Sequence, residues 1–290
     1  VKQPDISPPQ PIGTLPDALA CWPAIAARLD GCQAAVFLDF DGTLAPIAPT
    51  PSGASLPDDM RARLASLAER CLVAIVTGRS RVDAERRVGL ENVIIAGSHG
   101  FDIKGPPGSN IRRTDGAAFE ETIRTADRAL ADALAPFDGW VIEEKPTSIA
   151  VHYRNVQGAE VEGVLNAVER VLESHPRLRA TPGKKVIELL PRVDWNKGKA
   201  VAWLCDTLGL FDGGTLPIYI GDDVTDEDGF RALHGRGLAI VVGGAEPESL
   251  TRLTHADYRL DDPAAVSCIL DRVIAVQAGR KSPLGRAAPR

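Results

Sequence analysis

Short apolar runs, each closed by a small or polar cluster, recur along the chain and alternate with stretches whose apolar residues fall at helical spacing. The runs at 34–38, 72–76, 91–96, 218–220 and 238–242 predict strands. Those at 34–38 and 72–76 are unbroken by polar residues, the texture of strands buried on both faces of a parallel sheet. Between them the pattern predicts helices over 58–70, where Leu64 and Leu67 fall three apart, over 80–89, 197–209 and 226–233, and a closing helix over 263–277. Regular alternation of strand and helix predicts a doubly wound, Rossmann-like parallel α/β sheet.

The alternation is interrupted once. Gly105, Pro106, Pro107 and Gly108 mark a polar loop over 102–116, and a different rhythm follows: helix 117–134, strands 140–144 and 147–154, helix 158–174, strands 177–181 and 185–190. Helix, two strands, helix, two strands suits a small α+β domain inserted into the first, with a hairpin at Lys145-Pro146-Thr147. The expected division is an N-terminal extension and short helix over 1–30, a core over 31–112 and 191–278, an inserted cap over 113–190 and a loose basic tail over 279–290. Residues 1–13, rich in proline, are expected to be disordered or extended over the surface. Leu15, Leu19, Trp22, Ile25 and Leu29 predict a short helix kinked by Pro23. Pro46, Pro49, Pro51 and Pro57 mark a loop after the first core strand.

Composition narrows the function classes. A formal charge of −6 and a pI near 5.5 give no global basic field for nucleic acid or an anionic membrane. An anionic ligand would need local cations or a metal. Cys21, Cys32, Cys71, Cys205 and Cys268 lack CxxC spacing and read as buried free thiols in a reducing compartment, which argues against zinc. No apolar run approaches the roughly 20 residues that span a bilayer, and no signal peptide is apparent, so the expectation is a soluble, cytoplasmic monomer.

The chemistry gathers at strand ends. Val36-Phe37-Leu38 runs into Asp39-Phe40-Asp41-Gly42-Thr43, and in an extended chain residues i and i+2 project to the same side. Further strands end in Thr77-Gly78-Arg79, in Ser98-His99 and in Asp222, Asp223 and Asp226. A calcium loop fails at both acidic clusters, because the twelfth position is Thr50 in one and Gly235 in the other. In an open parallel sheet ligands bind outside the carboxyl ends of the strands, so the four clusters should converge. Four convergent aspartates, Asp39, Asp222, Asp223 and Asp226, repel unless a cation sits among them. A hard oxygen site that also admits an anionic substrate points to Mg²⁺. Thr77 and the backbone of Gly78, where a strand turns into a helix, can bind phosphate. Lys197, at the start of a helix, could bridge a carboxylate and the phosphate.

A strand ending DxDGT, a strand ending TGR, a helix-start lysine in Asn196-Lys197-Gly198 and a strand ending GDDxTDE, in this order, resemble the haloacid dehalogenase-like phosphatases over roughly residues 34–275. More closely, Gly97-Ser98-His99-Gly100, Lys145 before Ala150-Val151-His152-Tyr153-Arg154, Gly183-Lys184-Lys185-Val186-Ile187-Glu188 and Gly221-Asp222-Asp223-Val224-Thr225-Asp226-Glu227 are similar to the trehalose-6-phosphate phosphatases. Pro146 and the linker 103–116 look individual to this chain.

The resemblance implies that Asp39 attacks phosphorus and becomes an aspartyl-phosphate, while Asp41 protonates the departing sugar oxygen and then deprotonates water. It implies that Thr77 and Lys197 hold the phosphate, with Gly78, Arg79 and His99 also at the substrate. Mg²⁺ would be bound by Asp39, the Asp41 carbonyl and Asp222, with Asp223 and Asp226 supporting. Glu143, Lys145 and Glu188 of the cap match positions that contact sugar hydroxyls. The implied substrate is a small sugar phosphate, trehalose 6-phosphate. Alternatives are sucrose or mannosylglycerate phosphate, or a phosphoacceptor or sugar-phosphate sensor without turnover. The acid–base partner Asp41 and the inserted cap argue against the last.

Overall fold

The computed structural model describes residues 7–48, 53–114, 118–145, 147–183, 185–243 and 247–285. Expectations that rest on residues 1–6, Pro49, Pro51, Pro146 and residues 286–290 lie outside the described residues. By its own contacts the chain divides into two compact units, Val1–Arg113 with Trp195–Arg290, and Thr114–Asp194.

The chain runs through β1 (Gln10–Pro11), α1 (Trp22–Leu29), β2 (Gln33–Leu38), α2 (Asp58–Ala68), β3 (Leu72–Val76), α3 (Arg81–Val88), β4 (Ile94–Gly97), β5 (Asp102–Lys104) and β6 (Arg112–Thr114). The insertion adds α4 (Glu120–Leu134), β7 (Val141–Lys145), β8 (Ser148–His152), α5 (Val161–Ser174), β9 (Leu178–Gly183) and β10 (Val186–Pro191). The chain returns with α6 (Lys197–Thr207), β11 (Thr215–Gly221), α7 (Glu227–Leu233), β12 (Leu238–Val242), α8 (Pro247–Thr251), β13 (Leu253–Thr254), β14 (Tyr258–Leu260) and α9 (Pro263–Val276).

Among the described residues the large sheet has the order β14-β12-β11-β2-β3-β4-β5-β6. The first six strands are parallel and β5 is antiparallel to β4. Both faces are covered, which is why these strands read as unbroken apolar runs. Val36 and Leu38 of β2 pack with Leu64 of α2 and Ile269 of α9 in one layer. Ala35 and Phe37 pack with Leu204 of α6 and Phe230 of α7 in the other. The strand order reverses between β2 and β11, where the open end of a doubly wound sheet forms its ligand crevice. Leu38 is level with Ile220 of β11 and Ile75 of β3, so the polar residues that follow these strands emerge side by side.

Four expectations change. Pro23 falls in the first turn of α1, where its missing N–H costs nothing, so the helix starts at Trp22 rather than spanning 15–29. The N-terminal stretch is not loose throughout: Gln10 and Pro11 pair with Thr254 and Leu253, and Ile12 is fully buried. Part of the loop over 102–116 is β5 and β6, three-residue strands too short and polar to announce themselves. Residues 279–285 of the tail are tied down where the Ser282 N–H donates to the Glu69 carbonyl at 2.9 Å.

The inserted unit is an antiparallel sheet of order β7-β8-β10-β9. Ile149, Val151, Leu178 and Leu189 pack on Ile123 and Leu130 of α4 and Val164 and Val168 of α5. The alternate positions Glu143, Lys145, Ser148, His152 and Glu188 therefore share the opposite face.

Candidate active site

At the end of β2 the Asp39 N–H continues the ladder to the Ile220 carbonyl at 2.9 Å, which fixes its side chain at the carboxyl edge of the sheet. The chain then turns back on itself: Leu44 N–H reaches the Phe40 carbonyl at 3.0 Å, and Gly42 adopts a left-handed φ of 84°. A Cβ at Gly42 would also overlap the Asp222 carboxylate, so glycine is required twice over. Thr43, in the same turn, donates from Oγ1 to Asp222 Oδ1 at 3.1 Å.

Asn196 caps α6 by accepting from the Lys199 N–H at 2.9 Å, and Lys197 is the first residue of that helix. Helix-start lysines are ordinarily solvated, but Lys197 is only 3% exposed. Its Nζ donates to Asp39 Oδ1 at 2.9 Å and to Asp226 Oδ1 at 2.7 Å. Asp226 also accepts from the Tyr219 hydroxyl at 2.7 Å on Oδ1, and from the N–H groups of Asp222 and Asp223 at 3.0 and 2.9 Å on Oδ2. A carboxylate has about four lone-pair positions, so those of Asp226 are filled. Asp223 stays out of the cluster: it is exposed and its side chain caps the turn that follows, in a reciprocal box with Asp226.

Carboxylate oxygens of Asp39, Asp222 and Asp226 lie within 4.8 Å of one another. Three carboxylates with one ammonium leave an uncompensated buried negative charge. Burial, and then Asp226 beside it, pushes the Asp222 carboxyl up to about 7. Burial also holds Asp39 well above the usual carboxylate range, because repulsion from Asp226 and Asp222 adds to it and Lys197 only partly offsets it. Lys197 is raised, since Asp226 and Asp39 outweigh a burial that alone would lower it. An all-oxygen donor set with surplus buried negative charge fits a hard divalent cation, with Asp39 and Asp222 the side chains that retain accepting capacity.

Asp41 takes a different partner. Arg79 Nε and Nη2 grip its two oxygens at 2.7 and 2.6 Å, while Arg79 Nη1 donates to Asp83 at 2.9 Å. Ser80 caps α3 by accepting from the Asp83 N–H at 3.2 Å, which points the first turn, and Asp83 with it, back at Arg79. Arg79, expected at the substrate, is committed to these carboxylates. Thr77 is buried and its Oγ1 accepts from the Arg79 N–H at 3.1 Å. Ser98 and His99 both hold left-handed φ values, 51° and 55°. That turn lets the His99 N–H reach the Thr77 carbonyl at 2.9 Å and sets the imidazole against Gly78, where an added Cβ would come within 2.9 Å of the ring and push it aside.

In the inserted unit the register places Glu143 and Glu188 on either side of Ala150. Glu188 Oε1 accepts from Lys145 Nζ at 3.1 Å and from Ser148 Oγ at 2.8 Å. Glu143 Oε2 lies 3.2 Å from His152 Nε2. The hydrogen bond to His152 is the main cause that holds Glu143 below its ordinary range, and Lys145 adds to it.

A family model for trehalose-phosphatases matches residues 37–264. The chain belongs to the trehalose-phosphatase family. It is 42% identical over 265 residues to an uncharacterized glycosyl hydrolase of Mycobacterium tuberculosis, covering 90% of this chain but only 20% of that protein. It is 42% identical over 260 residues to a trehalose-phosphate phosphatase of M. tuberculosis, covering 89% of this chain and 66% of that one. In fold it is similar to the C-terminal domain of a Candida albicans trehalose-6-phosphate phosphatase, with a TM-score of 0.73, 22% identity, and coverage of 90% and 98%. The chain thus spans a fifth to two thirds of the length of these curated relatives.

Within this member of the family the structure gathers Asp39, Lys197, Asp222 and Asp226 into one cluster, and Asp41 with Arg79 into another. It also brings in residues that sequence reasoning passed over. Tyr219 is hidden inside an apolar strand, and Thr43 reads as a turn residue. Ser148 and His152 could have been found, because they alternate with Ala150 on the strand facing Glu143 and Glu188.

Proposed function

We propose that this chain is a Mg²⁺-dependent phosphatase that hydrolyses trehalose 6-phosphate to trehalose and phosphate through an aspartyl-phosphate on Asp39. The observation that carries the reading is Asp39 itself. It is a buried carboxylate at the switch point of a doubly wound sheet, bound through one oxygen to a buried lysine and set among further carboxylates. Mg²⁺ would be held by Asp39, the Asp41 carbonyl and Asp222, and it would neutralise charge on the phosphoryl oxygens. Asp223 and Asp226 support the site, since Asp226 orients Lys197 and the backbone of the loop.

In the first step an Asp39 oxygen forms a bond to phosphorus, the bond from phosphorus to the sugar oxygen breaks, and Asp41 delivers a proton to that oxygen. In the second, water attacks phosphorus, Asp41 takes its proton, and Asp39 departs as a carboxylate. Splitting hydrolysis this way needs cations beside the transferred group, the role of Lys197, with Thr77 and the Gly78 backbone as hydrogen-bond donors. Asp41 must present an oxygen to the departing sugar oxygen and then to water, and Arg79 grips both of its oxygens. The Arg79–Asp41 pair therefore opens in the cycle, freeing Arg79 for the substrate beside His99. Glu143, Lys145 and Glu188 are assigned to the sugar hydroxyls. The five cysteines are free, which suits a reducing cytoplasm, but only Cys71 and Cys205 are buried as expected, their thiols pushed up to about 12; Cys21 and Cys32 are half-buried and Cys268 is exposed. Among the described residues no helix is long and apolar enough to cross a membrane.

The test is phosphate release from a panel of sugar phosphates with and without Mg²⁺. Trehalose 6-phosphate should be hydrolysed fastest, only with metal, and not at all by Asp39→Asn, which cannot form the acyl phosphate. Preference for sucrose or mannosylglycerate phosphate would reassign the substrate. Turnover by Asp39→Asn would remove the mechanism.

A further inference from the structure

The acidic loop that opens after β11 is braced from behind by the short segment around β13. Arg252 Nη1 donates to the Asp222 carbonyl at 2.6 Å, and the His255 N–H donates to Glu227 Oε2 at 2.8 Å, so both ends of the loop are held. The Asp222–Asp223 peptide is gripped at both of its polar groups. Its C=O accepts from Arg252 and its N–H donates to Asp226 Oδ2 at 2.9 Å. Fixing that plane fixes the direction of the Asp222 side chain, which also takes the Thr43 hydroxyl.

The N-terminal stretch sets where Arg252 stands. Gln10 and Pro11 pair with Thr254 and Leu253, the Ile12 N–H donates to the Arg252 carbonyl at 2.9 Å, and the fully buried Ile12 anchors the turn that follows. Farther along, the Arg259 N–H reaches the Pro16 carbonyl and the Ala18 N–H the Arg259 carbonyl, at 3.0 and 2.9 Å. Arg252 is otherwise poorly served, since its Nε and Nη2 are buried without a hydrogen-bond partner among the described residues.

We propose that Arg252 is a positioning residue for the cation site: it orients Asp222 through the backbone, and the pairing of residues 10–12 with the β13 segment puts it in place. The proposal rests on the metal reading given above. The test compares wild type with Arg252→Ala, Arg252→Lys and Ile12→Ala, following the melting temperature of the substrate-free protein and phosphate release as Mg²⁺ is titrated. Outer partners of metal ligands typically govern affinity by 10–100-fold, so Arg252→Ala should raise the Mg²⁺ midpoint about tenfold in both assays. At saturating Mg²⁺, kcat and KM for the sugar phosphate should return to within a few fold. Arg252→Lys, which keeps one donor, should recover much of the affinity, and Ile12→Ala should shift the midpoint in the same direction by less. If Arg252→Ala does not fold, the other two variants carry the comparison. A lowered melting temperature with an unchanged Mg²⁺ midpoint would make Arg252 a structural brace only and overturn the proposal. A wild-type protein that does not respond to Mg²⁺ would remove the metal reading and this proposal with it, whereas a responsive wild type with unaltered variants would remove the proposal alone.

Discussion

Two lysine–carboxylate pairs in this protein handle charge in opposite ways. Lys197 and Asp39 have side chains 3% and 7% exposed, in a cluster whose further charged neighbours, Asp222 and Asp226, are both acids. Lys145 and Glu188 are 17% and 18% exposed, on a sheet face that also carries Ser148, His152, Glu143 and, across the next strand, Thr181. The first pair has surrendered its hydration and is sustained by fixed geometry, so each member matters greatly to the others. The second keeps more contact with water, which screens it, and so contributes less to stability. What it offers instead is directional hydrogen-bonding capacity that a polyhydroxylated ligand could take over.

The sharpest way to break the contrast is to remove the buried cation. At an effective dielectric near 20 a charge about 4 Å from a phosphoryl oxygen is worth up to about 4 kcal/mol, so Lys197→Ala should lower kcat/KM approaching 10³-fold. Steady-state phosphate release measures this, and a change of only a few fold would make Lys197 a bystander. The less deeply buried pair should respond differently. Glu188→Ala or Lys145→Ala should cost trehalose 6-phosphate about 10²-fold in kcat/KM while sparing a small aryl phosphate, because only the former offers hydroxyls to read. Equal losses on both substrates would erase the distinction between the two regions.

The smallest effect concerns the arginine cluster behind Asp41. Burial alone would raise the Asp83 carboxyl, but hydrogen bonds from Arg87, Arg79 and Arg86 outweigh it and hold it down at about 2, against an ordinary 3.8. Between these values the unfolded chain binds the proton and the native chain does not, so stability rises with pH across the window. The contribution is complete above about pH 4 and is lost as pH falls through 2. Wild type should exceed Asp83→Asn by no more than about 1 kcal/mol at neutral pH, since solvent screens the pairs. Denaturant melts at pH 7 and near pH 2 should show the gap closing; a gap independent of pH would assign it to packing.

The parallel core was legible because strands buried on both faces must be apolar throughout, and their carboxyl ends must then carry whatever polar chemistry exists. Asp39, Thr77 and Asp222 followed from that rule alone. The pairing of Gln10 and Pro11 with Leu253 and Thr254 was not legible, since two-residue strands carry no period and their partners lie far apart in the chain. Nor could the sequence sort Asp223 from Asp226. Which carboxylate turns inward depends on where Lys197 and Tyr219 arrive, and both come from other elements.

For anyone selecting heat-resistant variants, the tandem left-handed residues after β4 mark a ceiling. Each non-glycine side chain in that conformation costs about 1–2 kcal/mol. Ser98→Gly would relieve that strain, less the entropy glycine adds to the unfolded chain, without touching the imidazole. Glycine at position 99 would recover a similar amount and delete the ring that rests on Gly78. The same loop therefore holds one strained residue whose relief leaves the imidazole in place and one whose relief removes it from the active site.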